Sequence, residues 1–198
     1  KHNMVTCPAR HYLKNNTKTD PSCNLKDFLE NSEDLIILTG NYTNFFGKLF
    51  FKNKLKDLEQ ILISLKNTFK DKIYIEIQRH NEYQEKNFEK YLLKISKSLQ
   101  LPLIANQEIF YINKEMHEAH DALVCIGEKN FVDDKDRFRF SNQHYFKTQE
   151  DLEKLYSDIP EALENNYNFP LRFNFKPKKS RPILPSIASN ESGSPEEE

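Results

Sequence analysis

The chain is poor in several residue types that particular protein classes require. Its 198 residues include no Trp, only 4 Gly and only 3 Cys. Cys7, Cys23 and Cys125 are widely spaced and form no C-x-x-C pair, which argues against a disulfide scaffold and a structural zinc site. The pattern fits a reducing environment, so we expect the protein to be cytoplasmic. No Gly-rich phosphate-binding loop and no G-x-S-x-G motif is present in the sequence.

Long apolar runs and an excess of one charge are also missing. No run reaches the length of a transmembrane helix, and the first residues do not form a signal peptide. The 29 basic and 30 acidic residues are mixed, so no overall field indicates a membrane or nucleic acid. The basic, Pro-rich run from Lys176 to Arg181 is typical of an interdomain linker rather than of a phosphate site.

What the sequence does contain is a regular alternation of apolar runs and amphipathic stretches. The predicted elements are strand, helix, strand, helix, strand and helix, at residues 34–40, 55–69, 73–78, 88–99, 103–105 and 114–126. Such alternation predicts an α/β fold of right-handed βαβ units, with parallel strands and outer helices. Further on, Thr148 is a predicted helix N-cap and Pro160 a predicted first-turn residue. Residues 1–33 are polar, and we expect them to be irregular.

The predicted helix at 114–126 carries potential metal ligands. His117 and Asp121 are four residues apart, so they share a helix face, and His120 lies beside them. Pairs with this spacing can chelate zinc, but no H-E-x-x-H motif or second ligand cluster accompanies them. The more favoured interpretation is that His117 is solvated while His120 or Asp121 supports a neighbouring loop.

Two strand ends offer further polar groups. Glu76 and Gln78 are two residues apart in a strand, so they point to the same side, and His80 follows them. They could form an acid–base or metal pair, although a polar cluster that ties the strand end to a loop is favoured. Glu108 follows the third strand and is a possible ligand for a hard metal, but a lone carboxylate makes a weak site.

The sequences of the third predicted strand and of the helix after it resemble those of a known family. LPLIANQEIFY at 101–111 closely resembles a strand of the PHP domain in the alpha subunit of bacterial DNA polymerase III, and AHDALVCIG at 119–127 resembles its next helix. Other matching segments lie at 34–40, 73–80, 138–140, 149–152 and 158–163. No single segment is decisive, but their order and spacing together are specific. The resemblance covers roughly residues 25–187.

The resemblance implies a partial PHP-type (β/α)7 barrel. On this interpretation residues 1–24 are an irregular lead-in, 25–169 the barrel segment and 170–198 a linker toward the polymerase palm. Because the chain does not begin with Met, we expect a fragment whose first barrel strands precede Lys1. Such a partial barrel is expected to expose open sheet edges and apolar surface.

The resemblance also implies where metal ligands would lie. Intact PHP domains hold a metal cluster at the strand ends, and some such polymerases use it for proofreading. The third strand would normally end in Asp-x-His, but this chain has Glu108 and Phe110, and a phenyl ring has no lone pair to donate. Asn41 replaces a Cys ligand that is frequent after Thr39-Gly40. We therefore expect no catalytic residue, no bound metal and no cofactor in this segment.

The expected function is that of a degenerate, metal-free PHP domain within the replicative polymerase. The parent chain would be a DNA-directed DNA polymerase, with Mg²⁺ in its palm and DNA as its substrate. The resemblance implies that the segment is a scaffold and docks a separate proofreading exonuclease, alongside other polymerase III holoenzyme subunits. No membrane partner is expected.

Two alternatives remain from the sequence. One is an active metal-dependent PHP phosphoesterase or exonuclease, against which Asn41 and Phe110 count. The other is an interaction module without a role in replication, which rests on the absence of visible chemistry.

Overall fold

The fold is built on a parallel sheet of three strands. A computed structural model describes residues 24–174 and 176. Strand β1 is Ile37–Leu38, β2 is Ile73–Gln78 and β3 is Leu103–Asn106, in the spatial order β1-β2-β3. Both pairs of neighbouring strands are parallel. The predicted α/β class with parallel strands is therefore confirmed, whereas the sheet is open and the described residues form no closed barrel.

Seven α-helices accompany the sheet within the described residues. They are α1 Leu25–Glu30, α2 Phe45–Phe51, α3 Leu55–Phe69, α4 Glu85–Leu99, α5 His117–Glu128, α6 Gln149–Leu155 and α7 Pro160–Asn168. Two 3-10 turns lie at Lys114–Met116 and Phe169–Arg172. The three helices predicted at 55–69, 88–99 and 114–126 are all present, as α3, α4 and α5. None of the described helices is long and apolar enough to cross a membrane.

The core lies on both faces of β2. All five residues from Ile73 to Ile77 are buried, which is expected for a central parallel strand covered by helices on each side. Leu58 and Leu62 of α3 are completely buried one turn apart, and Phe88 of α4 is almost as deep. Full burial of one such side chain stabilises the fold by about 2 kcal/mol.

Helix α1 corrects the prediction that residues 1–33 are irregular. The Asn24 side chain accepts the Asp27 backbone N–H at 2.8 Å, which caps the helix, and Phe28 stacks on Phe69 with 5.7 Å between ring centroids. A helix of six residues is too short to give a helical period in the sequence.

Helix α2 was also missed by the sequence prediction. Its sequence, FFGKLFF, is rich in aromatic residues that are equally common in strands. Gly47 is required because a Cβ there would lie 1.9 Å from the Tyr42 carbonyl oxygen. The helix therefore forms where its backbone packs directly against the preceding loop.

Helix α7 covers the outer edge of β3. The Asn165 side chain donates to the Leu103 carbonyl at 2.7 Å, and the Asn166 side chain donates to the Ala105 carbonyl at 2.6 Å. The expectation of open sheet edges is thus wrong at β3, because side-chain amides pair with the carbonyl groups that a further strand would use.

The closing segment is mostly as predicted. Thr148 caps α6 by accepting the Asp151 N–H at 3.2 Å, and Pro160 opens α7. Residues 170–172, at the start of the expected linker, lie in the 3-10 turn Phe169–Arg172. Its Arg172 donates to the Asp71 carboxylate at 2.5 Å. Of the residues after this turn, 173, 174 and 176 are described, and the rest lie outside the described residues, as do Cys7 and Cys23.

Candidate functional site at the strand ends

Glu76 is the centre of a hydrogen-bond network at the carboxyl ends of the strands. Its side chain is 5% exposed. One carboxylate oxygen accepts from the Gln78 side chain at 2.5 Å and from the Asn106 side chain at 2.7 Å. The other oxygen accepts the Gly40 backbone N–H at 3.1 Å. Glu76, Gln78, Asn106 and Gly40 are thus joined by hydrogen bonds, as the favoured interpretation of Glu76 and Gln78 as part of a polar cluster expects.

The loop after β1 is tied into the same network. Asn41 donates from its side chain to the Gln78 amide oxygen at 3.3 Å, and its own amide oxygen accepts the Thr43 N–H at 3.0 Å. Gly40 has φ +77°, a conformation that suits Gly, and a Cβ there would meet Asn44 at 2.6 Å. Asn41 therefore stands among neutral amides.

His80 is held by both of its ring nitrogens. Nδ1 lies 3.0 Å from the Glu85 carboxylate, and Nε2 accepts the Glu108 backbone N–H at 3.0 Å. A nitrogen that accepts an N–H has no proton of its own, so the proton lies on Nδ1. With both nitrogens engaged, His80 positions the loop after β3, and its partner is Glu85 rather than Glu76.

A second histidine binds the other side of the Glu108 peptide. His144 Nδ1 lies 3.1 Å from the Glu108 carbonyl oxygen, and the ring stacks on His80 at 4.1 Å with 1° between the planes. The Glu108 side chain itself is exposed. The contacts that both histidines make to Glu108 are to its backbone.

Phe110 continues this stack of rings. It stacks on His144 at 4.9 Å and on His120 at 5.0 Å, with interplanar angles of 23° and 7°. Phe140 packs against Phe110 at 4.6 Å. The phenyl ring thus lies between two imidazoles, where it contributes apolar contact instead of a ligand atom.

The candidate zinc ligands on α5 point to different neighbours. His117 contacts the Phe140 carbonyl oxygen at 2.9 Å, while Asp121 forms two hydrogen bonds to Arg137 at 2.6 and 2.5 Å. These bonds hold the pKa of Asp121 below its usual value. Within residues 24–174 and 176, no three His, Cys, Asp or Glu side chains are grouped so as to hold a metal ion. The metal-free site nevertheless stays a prediction.

Comparison with known proteins decides the family. A DNA polymerase III subunit alpha from Rickettsia bellii is 31% identical over 189 residues, which are 96% of this chain and 16% of that protein. The subunit alpha from Caulobacter vibrioides is 31% identical over 196 residues, 99% of this chain and 17% of that protein. This chain is a homologue of part of the DNA polymerase III alpha subunit. The resemblance inferred from the motifs is confirmed.

A third alpha subunit is similar over a shorter stretch of the chain. The subunit alpha from Borreliella burgdorferi is 34% identical over 163 residues, which are 81% of this chain and 14% of that protein. The chain therefore spans between 14% and 17% of the length of these three alpha subunits. No protein-family model matches the chain.

Arg79 joins three parts of this alpha-subunit homologue, and sequence reasoning missed it. Its guanidinium donates to Glu89 of α4 at 2.5 Å, to Asp158 at 2.6 and 2.8 Å and to the Leu155 carbonyl at 2.5 Å. The hydrogen bonds to Asp158 raise the pKa of Arg79 and lower that of Asp158. The sequence does place an Arg directly after a buried strand, between Gln78 and His80, and this position could have indicated a structural role for Arg79.

Lys147 is a second residue missed by sequence reasoning about this alpha-subunit homologue. It is 7% exposed and donates to the Gln107 side chain at 3.2 Å and to the Gln143 carbonyl oxygen. Its amine also lies 4.4 Å from the centre of the Tyr145 ring. Burial lowers the pKa of Lys147. Its neutral partners make it a support for the loops rather than one half of an ion pair.

The buried His144 is expected to make the stability of this alpha-subunit segment depend on pH. Burial, together with the neighbouring His80 ring, lowers the pKa of His144 to about 4 from 6.5. Glu82 lies 3.6 Å from His144 Nε2, beyond hydrogen-bond reach, and accepts the Ser141 N–H instead. In the unfolded chain His144 takes up a proton near pH 6.5, so stability is present above that pH and is lost toward pH 4. The loss is expected to be about 3 kcal/mol.

The measurement is native-state hydrogen exchange of the β2 amides between pH 7 and 4.5, corrected for intrinsic exchange rates. A His144→Gln variant removes the titrating group and is expected to show a flatter pH dependence. An equal dependence in both proteins would contradict the assignment to His144.

Proposed function

We propose that this chain is part of a replicative DNA polymerase III alpha subunit and acts there as a degenerate, metal-free PHP domain. In this role it is a scaffold and docks the proofreading exonuclease. The parent subunit is a DNA-directed DNA polymerase of the cytoplasm. It works with DNA and the other holoenzyme subunits, and its palm uses Mg²⁺. Nucleotide addition takes place outside this segment.

The observation that carries the metal-free assignment is the chemistry at the strand ends. Asn41 and Asn106 present amides there, Phe110 presents a phenyl ring between two imidazoles, and the Glu108 carboxylate is exposed. Amides and phenyl rings are poor ligands for zinc, which prefers imidazole, thiolate and carboxylate. Hydrogen bonds hold the three strand ends together at this position, so no ion is needed to fasten them.

Elemental analysis tests this assignment. The full-length subunit, purified without tags or chelators, is expected to carry far less than one equivalent of zinc or manganese per chain. Stoichiometric metal would contradict the proposal. So would manganese-dependent phosphatase turnover that is abolished by Glu108→Ala, because that outcome belongs to an active PHP phosphoesterase.

Support for docking comes from the outer face of α5. Leu123 is 65% exposed and Ile126 is 75% exposed, and a spacing of three residues places them on one side of the helix. Phe131, 78% exposed, follows the helix. The buried residues of α5 are Asp121 and Cys125, on its opposite side. A helix that faces outward with large apolar side chains is typical of a protein interface.

The docking proposal predicts a loss of exonuclease binding. Substitution of Leu123→Glu and Ile126→Glu in the full-length subunit is expected to weaken co-purification of the exonuclease at least about tenfold, because two interface carboxylates are then desolvated. The matched control is Tyr167→Glu with Leu171→Glu, at side chains that are 83% and 76% exposed on α7 and the turn after it. Equal retention of the exonuclease by both variants would overturn α5 as its docking surface.

A further inference from the structure

The outer face of α2 and the turn into α3 form a local basic surface. The 22 residues from Leu35 to Lys56 contain no Asp or Glu, although the whole chain has 30. Four lysines lie in the second half of this stretch, at positions 48, 52, 54 and 56, and all four are exposed. The near-zero net charge of the chain hides this local excess. We call residues 45–56 the α2 surface.

Two aromatic rings lie among these lysines. Phe45 is 54% exposed and Phe51 is 43% exposed. At 100° per residue, Phe45, Lys48 and Lys52 share one side of α2, and Phe51 lies one turn from Lys48 on the adjoining side. Aromatic and cationic side chains are therefore interleaved on the exposed side of the helix.

The opposite side of α2 fixes this arrangement. Phe46 and Gly47 are buried, and Phe50 packs against Phe88 and Tyr91 of α4 with centroid distances of 5.4 and 5.2 Å. Because Phe46 and Phe50 anchor this side of the helix, Phe45 and Phe51 are held on a packed element. A pre-positioned ring loses less entropy when a ligand stacks on it.

The lysines of the α2 surface are also electrostatically available. In the described part of the chain, none of these four lysines forms an ion pair. The Lys and Arg side chains that form ion pairs lie outside residues 45–56. Helix α4 provides a comparison, because Lys86, Lys90 and Lys94 are likewise exposed with helical spacing. Within Glu85–Leu99 no large exposed aromatic side chain accompanies these lysines, and the exposed Tyr83 precedes the helix.

We propose that the α2 surface binds single-stranded DNA. Proteins that hold single strands without sequence preference combine cationic groups for the phosphates with aromatic rings for the bases, and each stacked base contributes about 1–3 kcal/mol. Phe45 and Phe51 supply the rings, while Lys48, Lys52 and Lys54 supply the charges. Bases of a duplex are already stacked on one another, so exposed rings favour a single strand. This contact is distinct from exonuclease docking and does not depend on it.

Photo-crosslinking locates the contact in the full-length protein. An oligothymidylate that contains 5-iodouracil is irradiated with the protein, and the crosslinked peptides are mapped by mass spectrometry. Crosslinks are expected at Phe45 or Phe51. Phe45→Ala with Phe51→Ala is expected to lower the yield at residues 45–56 at least tenfold. A triple variant that keeps both rings, Lys48→Glu with Lys52→Glu and Lys54→Glu, is also expected to lower the crosslink yield at least tenfold.

The control is the triple variant Lys86→Glu, Lys90→Glu and Lys94→Glu, which changes the net charge equally and is expected to leave the yield at residues 45–56 within twofold. No crosslink in residues 45–56, or an equal loss in the α4 variant, would overturn the proposal.

Flotation with phosphatidylglycerol vesicles tests whether the surface binds anionic lipid instead. Vesicle binding that needs the same lysines, without a crosslink, would assign the surface to anionic lipid instead. Loss of the crosslink with normal exonuclease binding would separate this contact from the proposed docking role.

Discussion

Replacement of Arg79 by Met is expected to lower the free energy of local unfolding around β2 by about 3 kcal/mol, as for a largely buried ion pair that loses one partner. The Arg79 and Glu89 side chains are only 17% and 18% exposed, so Glu89 would keep a poorly solvated charge without its partner. The Leu155 carbonyl would lose a donor as well. Met retains much of the apolar stem, so the change isolates the guanidinium.

Native-state hydrogen exchange of the β2 amides in the full-length protein measures this effect. The matched control is Lys26→Met. Lys26 is 83% exposed and pairs with Glu30, which is 60% exposed, so a change below about 1 kcal/mol is expected. If the two variants were equally stable, Arg79 would not link β2 to α4 and to the segment after α6.

Replacement of Glu76 by Gln is expected to cost about 2–3 kcal/mol in the same measurement, the usual range for loss of hydrogen bonds to a buried charged group. The two carboxylate oxygens accept from three groups, which belong to Gly40, Gln78 and Asn106. A Gln side chain has one acceptor oxygen and an NH₂ group in place of the second oxygen. At least one of the groups that donate to Glu76 would then face this NH₂ group. The strand ends would then separate, which is expected to speed exchange in the loops after β1 and β3.

Glu59→Gln provides the control for Glu76. Glu59 lies in the second turn of α3 and is exposed, so its substitution should change the stability by no more than about 0.5 kcal/mol. A neutral outcome for both substitutions would indicate that the Glu76 network contributes nothing to the joining of the strands.

The strands and long helices were predictable because their signals are local. Ile73–Gln78 is a strand with the predicted bounds, since a run rich in β-branched residues suits a buried parallel strand, and Glu76 is its one polar residue before Gln78. The α3 prediction also held over Leu55–Phe69, where apolar residues recur with a helical period. Short helices such as α1 and α2 give no such period, and their formation depends on packing against residues far along the chain.

The candidate site was only partly predictable. The side-by-side placement of Glu76 and Gln78 follows from the two-residue period of a strand, and the structure joins them as expected. Partners from other elements, such as Asn106 for Glu76 or His144 for the Glu108 peptide, cannot be read from a local pattern. They are set by strand order and by loops that meet only in the folded chain.

The sequence by itself determined the α/β class, the order of the main elements and the relation to alpha subunits, because periodicity and motif spacing are properties of contiguous residues. It also determined that Phe110 offers no lone pair and Asn41 no charge, wherever these residues lie. Only the tertiary structure decided how the strand ends are held together. A buried carboxylate needs several donors at once, and Glu76 obtains them from three separate strand ends. Burial and stacking likewise decided the roles of His80 and His144, whose side chains alone are compatible with ligation, catalysis or support.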